Sequence, residues 1–313
     1  MAVTEPFDAH NVPSVSAGDL SSRLAPVFRS FLTDMTYTPP AAPSTNEQLK
    51  VVMQAEMDAR GTRCVELERL AHLAINYVEC VFPHYNFEEK TAIALYHWYL
   101  LYVDELAPIN AAPLIAFKGR LLRHQPQLDP VLDALPAVFA RFYDLYEPFT
   151  ADFIYSSALE FITGTALEPQ TKHLPLIRKA DRFPLYLREL CGIGEGYAHM
   201  IFPKRLGVSI VEYIEAVPDM IIWINLSNDL LSFYKEELGG ETATYVHLRA
   251  AVEKKDHMQV LAEIKDELII AQETIRATLA TSSAALQAWK SFEQRLIFWH
   301  MTQDRYRLKE LNL

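Results

Sequence analysis

Apolar residues in this chain recur at helical spacing along most of its length, and no sustained alternation of period two interrupts them. From Thr45 onward the pattern predicts helices with recognisable ends. Asn46 is a candidate cap for the first, with Leu49, Val52 and Met53 on one face. The next runs from about Cys64 to Val81 and stops before Pro83. A third, Glu88–Leu106, opens on two acids in its first turn and stops before Pro108. Further helices are expected over Ala111–His124, Pro130–Glu147, Thr150–Thr163, Pro184–Phe202, Ser209–Glu215, Pro218–Glu237, Tyr245–Lys254, Gln259–Thr278 and Ser283–Leu311. Gly239-Gly240 supplies a stop for the Pro218 helix. Residues 1–45, rich in Pro, Ser, Ala and Thr, read as an irregular N-terminal arm around one short helix near Ser21–Leu32. The expectation is an all-α protein, with residues 46–313 as a single domain.

One of these helices departs from ordinary amphipathicity. Apolar side chains point in almost every direction from Met220 to Tyr234, which describes a buried helix. Within it, Asn228, Ser232 and Glu236 stand at i, i+4 and i+8, sharing a stripe about 12 Å long. All three end in oxygen, the ligand type of a hard divalent cation such as Mg²⁺. Lys235 lies within about 20° of the direction of Asn228. Polar groups on a buried helix are costly unless paired or coordinated. The stripe is therefore a metal site or a polar seam against solvent or a neighbour, and spacing alone leaves both open.

Composition narrows the class. Of 313 residues, half are hydrophobic and only 10 are Gly, too few for a loop-rich or β-rich protein. The formal charge of −11, without a basic run, argues against nucleic acid as a partner. It leaves room for a small anionic substrate, because bound metal ions reverse the local sign. Cys64, Cys80 and Cys191 match no metal or redox spacing. The longest apolar run, near Thr91–Val103, is too short to span a bilayer, and no signal peptide is read at the N-terminus. A soluble, cytoplasmic protein without membrane partners is expected.

The segment Asn228-Asp229-Leu230-Leu231-Ser232-Phe233-Tyr234-Lys235-Glu236 resembles the second metal motif, (N/D)-D-x-x-(S/T)-x-x-x-E, of class I terpene cyclases. It is closest in form to the trichodiene synthase-like fungal family. The resemblance implies a helical bundle around a central apolar cavity. Asn228, Ser232 and Glu236 would hold Mg²⁺, one of three ions bound with diphosphate, while Lys235 reaches the diphosphate.

Other segments match in the order this family requires. Asp104-Glu105-Leu106-Ala107-Pro108, at the end of an aromatic-rich helix, stands where an acid-rich first motif belongs. Asp104 matches the bridging ligand; no later acid follows, and the role of Glu105 stays open. Arg188, with Gly192 four residues on, matches the diphosphate sensor, its planar fork suited to phosphate oxygens. A break in the helix at Gly192–Gly196 would turn a backbone carbonyl toward the cation. Arg305 and Tyr306 match a diphosphate-binding pair near the C-terminus, with Arg307 outside the contact set. Trp299, Phe161, Trp223, His97 and Leu101 occupy cavity-lining positions; each is equally an ordinary core residue on pattern alone.

The activity implied is Mg²⁺-dependent ionisation and cyclisation of a linear prenyl diphosphate, most simply farnesyl diphosphate, to a sesquiterpene. Two alternatives stand beside it: an enzyme that couples isoprenyl chains, although no second D-D-x-x-D box is present, and a non-catalytic helical protein that keeps the fold. A helical homodimer is compatible with the sequence.

Overall fold

The computed structural model describes residues 17–43, 47–62, 64–106 and 108–313. The expected cap Asn46, Ala107 and residues 1–16 of the arm lie outside the described residues. Among those described, thirteen α-helices and several 3-10 turns make up the secondary structure, and no strand occurs.

The first helix, α1 (Ala17–Asp34), is longer than the short helix expected within an irregular arm. Its Leu20, Leu24, Phe28 and Phe31 recur on one face and join the common core. Burying each such side chain stabilises the fold by roughly 1.5–3 kcal/mol. Pro26 falls inside the helix without ending it. Helix α1 packs on α10 (Val217–Gly239) and α12 (His257–Thr278).

Two helices run through the middle of the bundle. Helix α4 (Phe87–Leu106) buries side chains around its whole circumference from Glu89 to Leu100, as its run of apolar residues on every face from Ala92 onward demands. It packs against α3 (Val65–Val81), α6 (Leu135–Leu145) and α7 (Pro148–Thr171). Helix α10 is buried nearly as completely from Met220 to Tyr234. It opens on a proline in its first turn and closes at Gly240, whose φ of 72° is the left-handed conformation that favours glycine.

Several expected helices end or break differently. The stretch Pro184–Phe202 is two helices, α8 (Phe183–Cys191) and α9 (Gly194–Met200), separated at Gly192-Ile193. A Cβ on Gly192 would lie 2.5 Å from Asn225 Oδ1 and 2.7 Å from Arg188 Nη1, so only glycine leaves room for both side chains. The stretch Ser209–Glu215 is a pair of 3-10 turns, Ile210–Glu212 and Ile214–Ala216. Between them, α11 (Tyr245–Glu253) and α12 agree with the pattern. The last helix, α13 (Ser283–Thr302), ends at Thr302 rather than Leu311 and passes into two 3-10 turns. Helix α7 overruns its expected end at Thr163, with Gly164 pressed so closely on α8 that a Cβ would meet the Leu190 carbonyl oxygen at 2.3 Å.

A candidate diphosphate and metal site at the ends of two central helices

The last turns of α4 and α10 and the 3-10 turn Asp304–Tyr306 share one electrostatic neighbourhood. Asp104 is open to solvent at its surface yet surrounded by protein, the condition of a group lining a recess. That setting pushes its carboxyl above the usual range; Arg305 and Lys235 pull it back, and Glu105 and Glu241 add to the rise. Burial also raises Glu236, opposed by Lys235 and Ser232 and reinforced by Asp229 and Glu241. Lys235 Nζ lies 3.5 Å from Glu236 Oε1. Carboxylates from two helices, raised by the same enclosure, are groups that a cation would relieve.

The three oxygen-bearing side chains of α10 occur in unlike states. Asn228 is partly exposed; its amide nitrogen lies 3.2 Å from Nε2 of His300. Ser232 is 1% exposed, and its hydroxyl makes no well-formed hydrogen bond among the described residues. It lies near enough to Glu236 only to ease that carboxylate's charge. A buried hydroxyl left without a partner is uncommon and asks for an explanation. Donors of this kind, all oxygen and on one stripe, fit a hard divalent cation.

Arg188 reaches the same helix from α8. Its Nε donates to both carboxylate oxygens of Asp229, at 2.7 and 2.8 Å, and its Nη2 donates to the Asn225 carbonyl at 3.0 Å. A longer contact, 3.4 Å, joins Nη2 to Asn228 Oδ1. Burial works against charge on the guanidinium, and Asp229 more than restores it, so Arg188 stays cationic. Asp229 was not singled out from sequence, although it stands inside the motif. Glu168 was missed as well: burial raises it, Asp104 raises it further, and Arg188 lowers it, which places α7 beside the same recess.

Tyr306 is buried; its hydroxyl is near Asn228, and Arg305 lies over its ring with Cζ 5.5 Å from the centroid. Arg307 is turned away, its guanidinium paired with Glu310. Glu105 faces away too: Arg69 Nη2 donates to its Oε1 at 2.8 Å, on the α3 side. Of the two acids in the atypical first motif, Asp104 alone turns toward the recess.

Below these polar groups is an aromatic cluster. Tyr77 stacks on His97 at 4.2 Å, and Trp299 meets Tyr77, His97 and Tyr306 edge-on. Tyr197 closes the group through a short hydrogen bond to His97 Nδ1. Burial, with the charge of Arg305, lowers His97 to about 3, so the ring is neutral. Tyr77 and Tyr197 escaped the sequence reading because neither stands at a motif position. Trp223 is fully buried with its ring against Trp289, Phe161 is buried and Leu101 partly so. Nε1 of both Trp223 and Trp299 and Nε2 of His97 have no hydrogen-bond partner among the described residues.

Among solved structures the chain follows the linalool/nerolidol synthase of Streptomyces clavuligerus, with a TM-score of 0.65 at 13% identity over 85% of this chain and 98% of that one. The bundle is therefore that of the class I terpene synthases. Sequence comparison places it more closely: residues 63–312 match the trichodiene synthase (TRI5) family, and the chain belongs to that family. Terpene synthase BipA of Cochliobolus sativus is 32% identical over 293 residues, covering 91% of this chain and 90% of that relative. Longiborneol synthase CLM1 of Gibberella zeae is 29% identical over 323 residues, covering 98% and 94%. The protein is a class I terpene synthase, a lyase. No described helix is long and apolar enough to cross a membrane.

Proposed function

We propose that the enzyme ionises farnesyl diphosphate in a Mg²⁺-dependent reaction and cyclises the resulting carbocation to a sesquiterpene. The observation that carries this reading is the meeting of Asp104 with Arg305 and Lys235 at the mouth of the aromatic cluster. Asn228, Ser232 and Glu236, with Asp104 opposite, would hold the metal, which when bound supplies positive charge to the leaving diphosphate.

Arg188, Lys235, Arg305 and Tyr306 donate to diphosphate oxygens as the allylic C–O bond breaks heterolytically and the electron pair leaves with oxygen. The substrate's own π bonds then attack the cation as rings close, each closure moving the positive charge to a new carbon until a proton is lost. Faces of Trp299 and Tyr77 favour positive charge, and neutral His97 adds none to repel it. Gly192, lacking a side chain, leaves the Arg188 guanidinium the space it occupies. The final proton passes to released diphosphate, so no side-chain base is needed. Exclusion of water by the buried cluster keeps the cation from early capture.

Incubation of purified protein with farnesyl diphosphate and Mg²⁺, followed by headspace analysis, tests the reading. Cyclic hydrocarbons absent from a boiled control support it. Only uncyclised alcohols at the control level would refute it.

A further inference from the structure

A second group of metal-ligating side chains lies where the C-terminal end of α10 meets α11 and the first turn of α12. His247 Nε2 is 3.0 Å from Glu237 Oε2, and His257 Nδ1 is 3.9 Å from the same oxygen. One ligand atom from each of the three residues lies within 4.8 Å of the others. The two imidazoles meet edge to face with centroids 4.5 Å apart. His247 is buried, and Glu237 and His257 are partly so.

A simple ion pair accounts for His247 and Glu237, but not for His257. Its Nδ1 is aimed at the same carboxylate oxygen from beyond hydrogen-bond distance. Two protonated imidazoles this close would repel each other; two neutral ones with a carboxylate are a set of lone pairs converging on one point. His247 is also oriented from behind, because Thr244 Oγ1 lies 2.8 Å from Nδ1 and leaves Nε2 for the carboxylate side. Such backing of the distal ring nitrogen is the usual support of a metal-bound histidine. Phe233 packs on both rings, 5.7 and 5.9 Å from their centroids, and restricts their rotation. The nearby cation Arg23 is paired with Asp256 at 3.4 Å, which moderates its opposition to a second positive charge.

We propose that Glu237, His247 and His257 form a transition-metal site, best matched to zinc, that ties the end of α10 to α11 and α12. Two nitrogens and one oxygen suit Zn²⁺ or Co²⁺, whereas Mg²⁺ prefers oxygen alone. The site is separate from the oxygen stripe of α10. Glu237 follows Glu236 directly, and successive helical residues point about 100° apart. It would therefore fix the helix end that carries Glu236 without contacting substrate.

The test is titration of metal-stripped full-length protein with Co²⁺, read by visible absorption, with Zn²⁺ and Mg²⁺ as competitors. Expected is a single equivalent of Co²⁺, displaced by Zn²⁺ but not by excess Mg²⁺. Binding should weaken at least about tenfold in His257→Ala and in Glu237→Gln, each checked for native circular dichroism. Ser232→Ala should leave it unchanged, which separates this site from the one proposed for diphosphate. Equal Co²⁺ affinity in wild type and His257→Ala would overturn the proposal, as would displacement by Mg²⁺ as readily as by Zn²⁺.

Discussion

Nδ2 of Asn228 lies 3.2 Å from Nε2 of His300, and the other nitrogen of that ring, Nδ1, lies 2.8 Å from the Leu296 carbonyl oxygen. A carbonyl only accepts, so Nδ1 carries the proton. Burial lowers His300 to about 4, so the ring is neutral and Nε2 is an acceptor. The amide NH₂ of Asn228 must donate to it, which turns Oδ1 outward toward Arg188 and the recess. The imidazole thus orients a side chain in the proposed metal stripe.

Replacing that ring with an apolar side chain of similar size tests the arrangement. His300→Leu should raise the Mg²⁺ concentration needed for half-maximal activity by about tenfold or more, with a smaller change in kcat at saturating Mg²⁺. Steady-state rates across a Mg²⁺ series would measure it. An unchanged Mg²⁺ requirement with a lowered melting temperature would mean the ring serves packing alone.

Ser232 separates binding from folding more cleanly. Its buried hydroxyl lacks a well-formed hydrogen bond, so Ser232→Ala removes a desolvated group and leaves no broken bond behind. The unliganded variant should be as stable as wild type or more stable by up to about 1 kcal/mol. Its melting temperature should no longer rise when Mg²⁺ and diphosphate are added together, and turnover should fall. Differential scanning fluorimetry with and without the two ligands reads both effects. A clear loss of stability in the unliganded variant would make Ser232 a structural residue.

Adjacent acids at the end of α4 should behave unequally. Asp104 belongs to the recess, and Asp104→Ala should reduce turnover about a hundredfold or more. Glu105 is held by Arg69, in a pair whose side chains are each 45% exposed. Such pairs contribute at most about 1 kcal/mol. Glu105→Gln should leave kcat within about twofold and the melting temperature nearly unchanged. Comparable losses in both variants would mean that Glu105 swings inward during turnover.

The contrast shows where sequence was informative. Asn228, Ser232 and Glu236 are legible because all lie on one helix, whose 3.6-residue period converts spacing directly into direction. The partner of Arg188 is 41 positions away on another helix. No local period encodes such a meeting, which depends on how α8 packs on α10. Glu168 is hidden for the same reason: a lone acid on α7 has nothing to mark it until Asp104 and Arg188 arrive beside it. The two glycines flanking Ile193 announced an interruption, but its cause, the Asn225 side chain filling the space of a Cβ, exists only after folding. Helix α1 was shortened because Pro26 and the polar residues around it weaken the local signal, which the core contacts of Phe28 and Phe31 override.

Acid should weaken the fold through a histidine that belongs to neither proposed metal site. His199 is fully buried, its ring stacked on Phe153 at 4.5 Å and its Nδ1 3.1 Å from the Tyr213 hydroxyl. Burial lowers it from 6.5 to about 4, whereas the unfolded chain takes up the proton near 6.5. Its stabilising contribution is therefore complete above about pH 6.5. It is lost progressively as the pH falls through about 4, a difference of up to about 3 kcal/mol. His199→Phe keeps a flat ring against Phe153, removes the titration, and leaves the Tyr213 hydroxyl its contact with Thr150 at 2.8 Å. Urea unfolding of both proteins between pH 7 and pH 4 measures the effect. The stability of wild type should fall more steeply than that of His199→Phe over this range. Parallel slopes would show that His199 reaches solvent and gains its proton without unfolding.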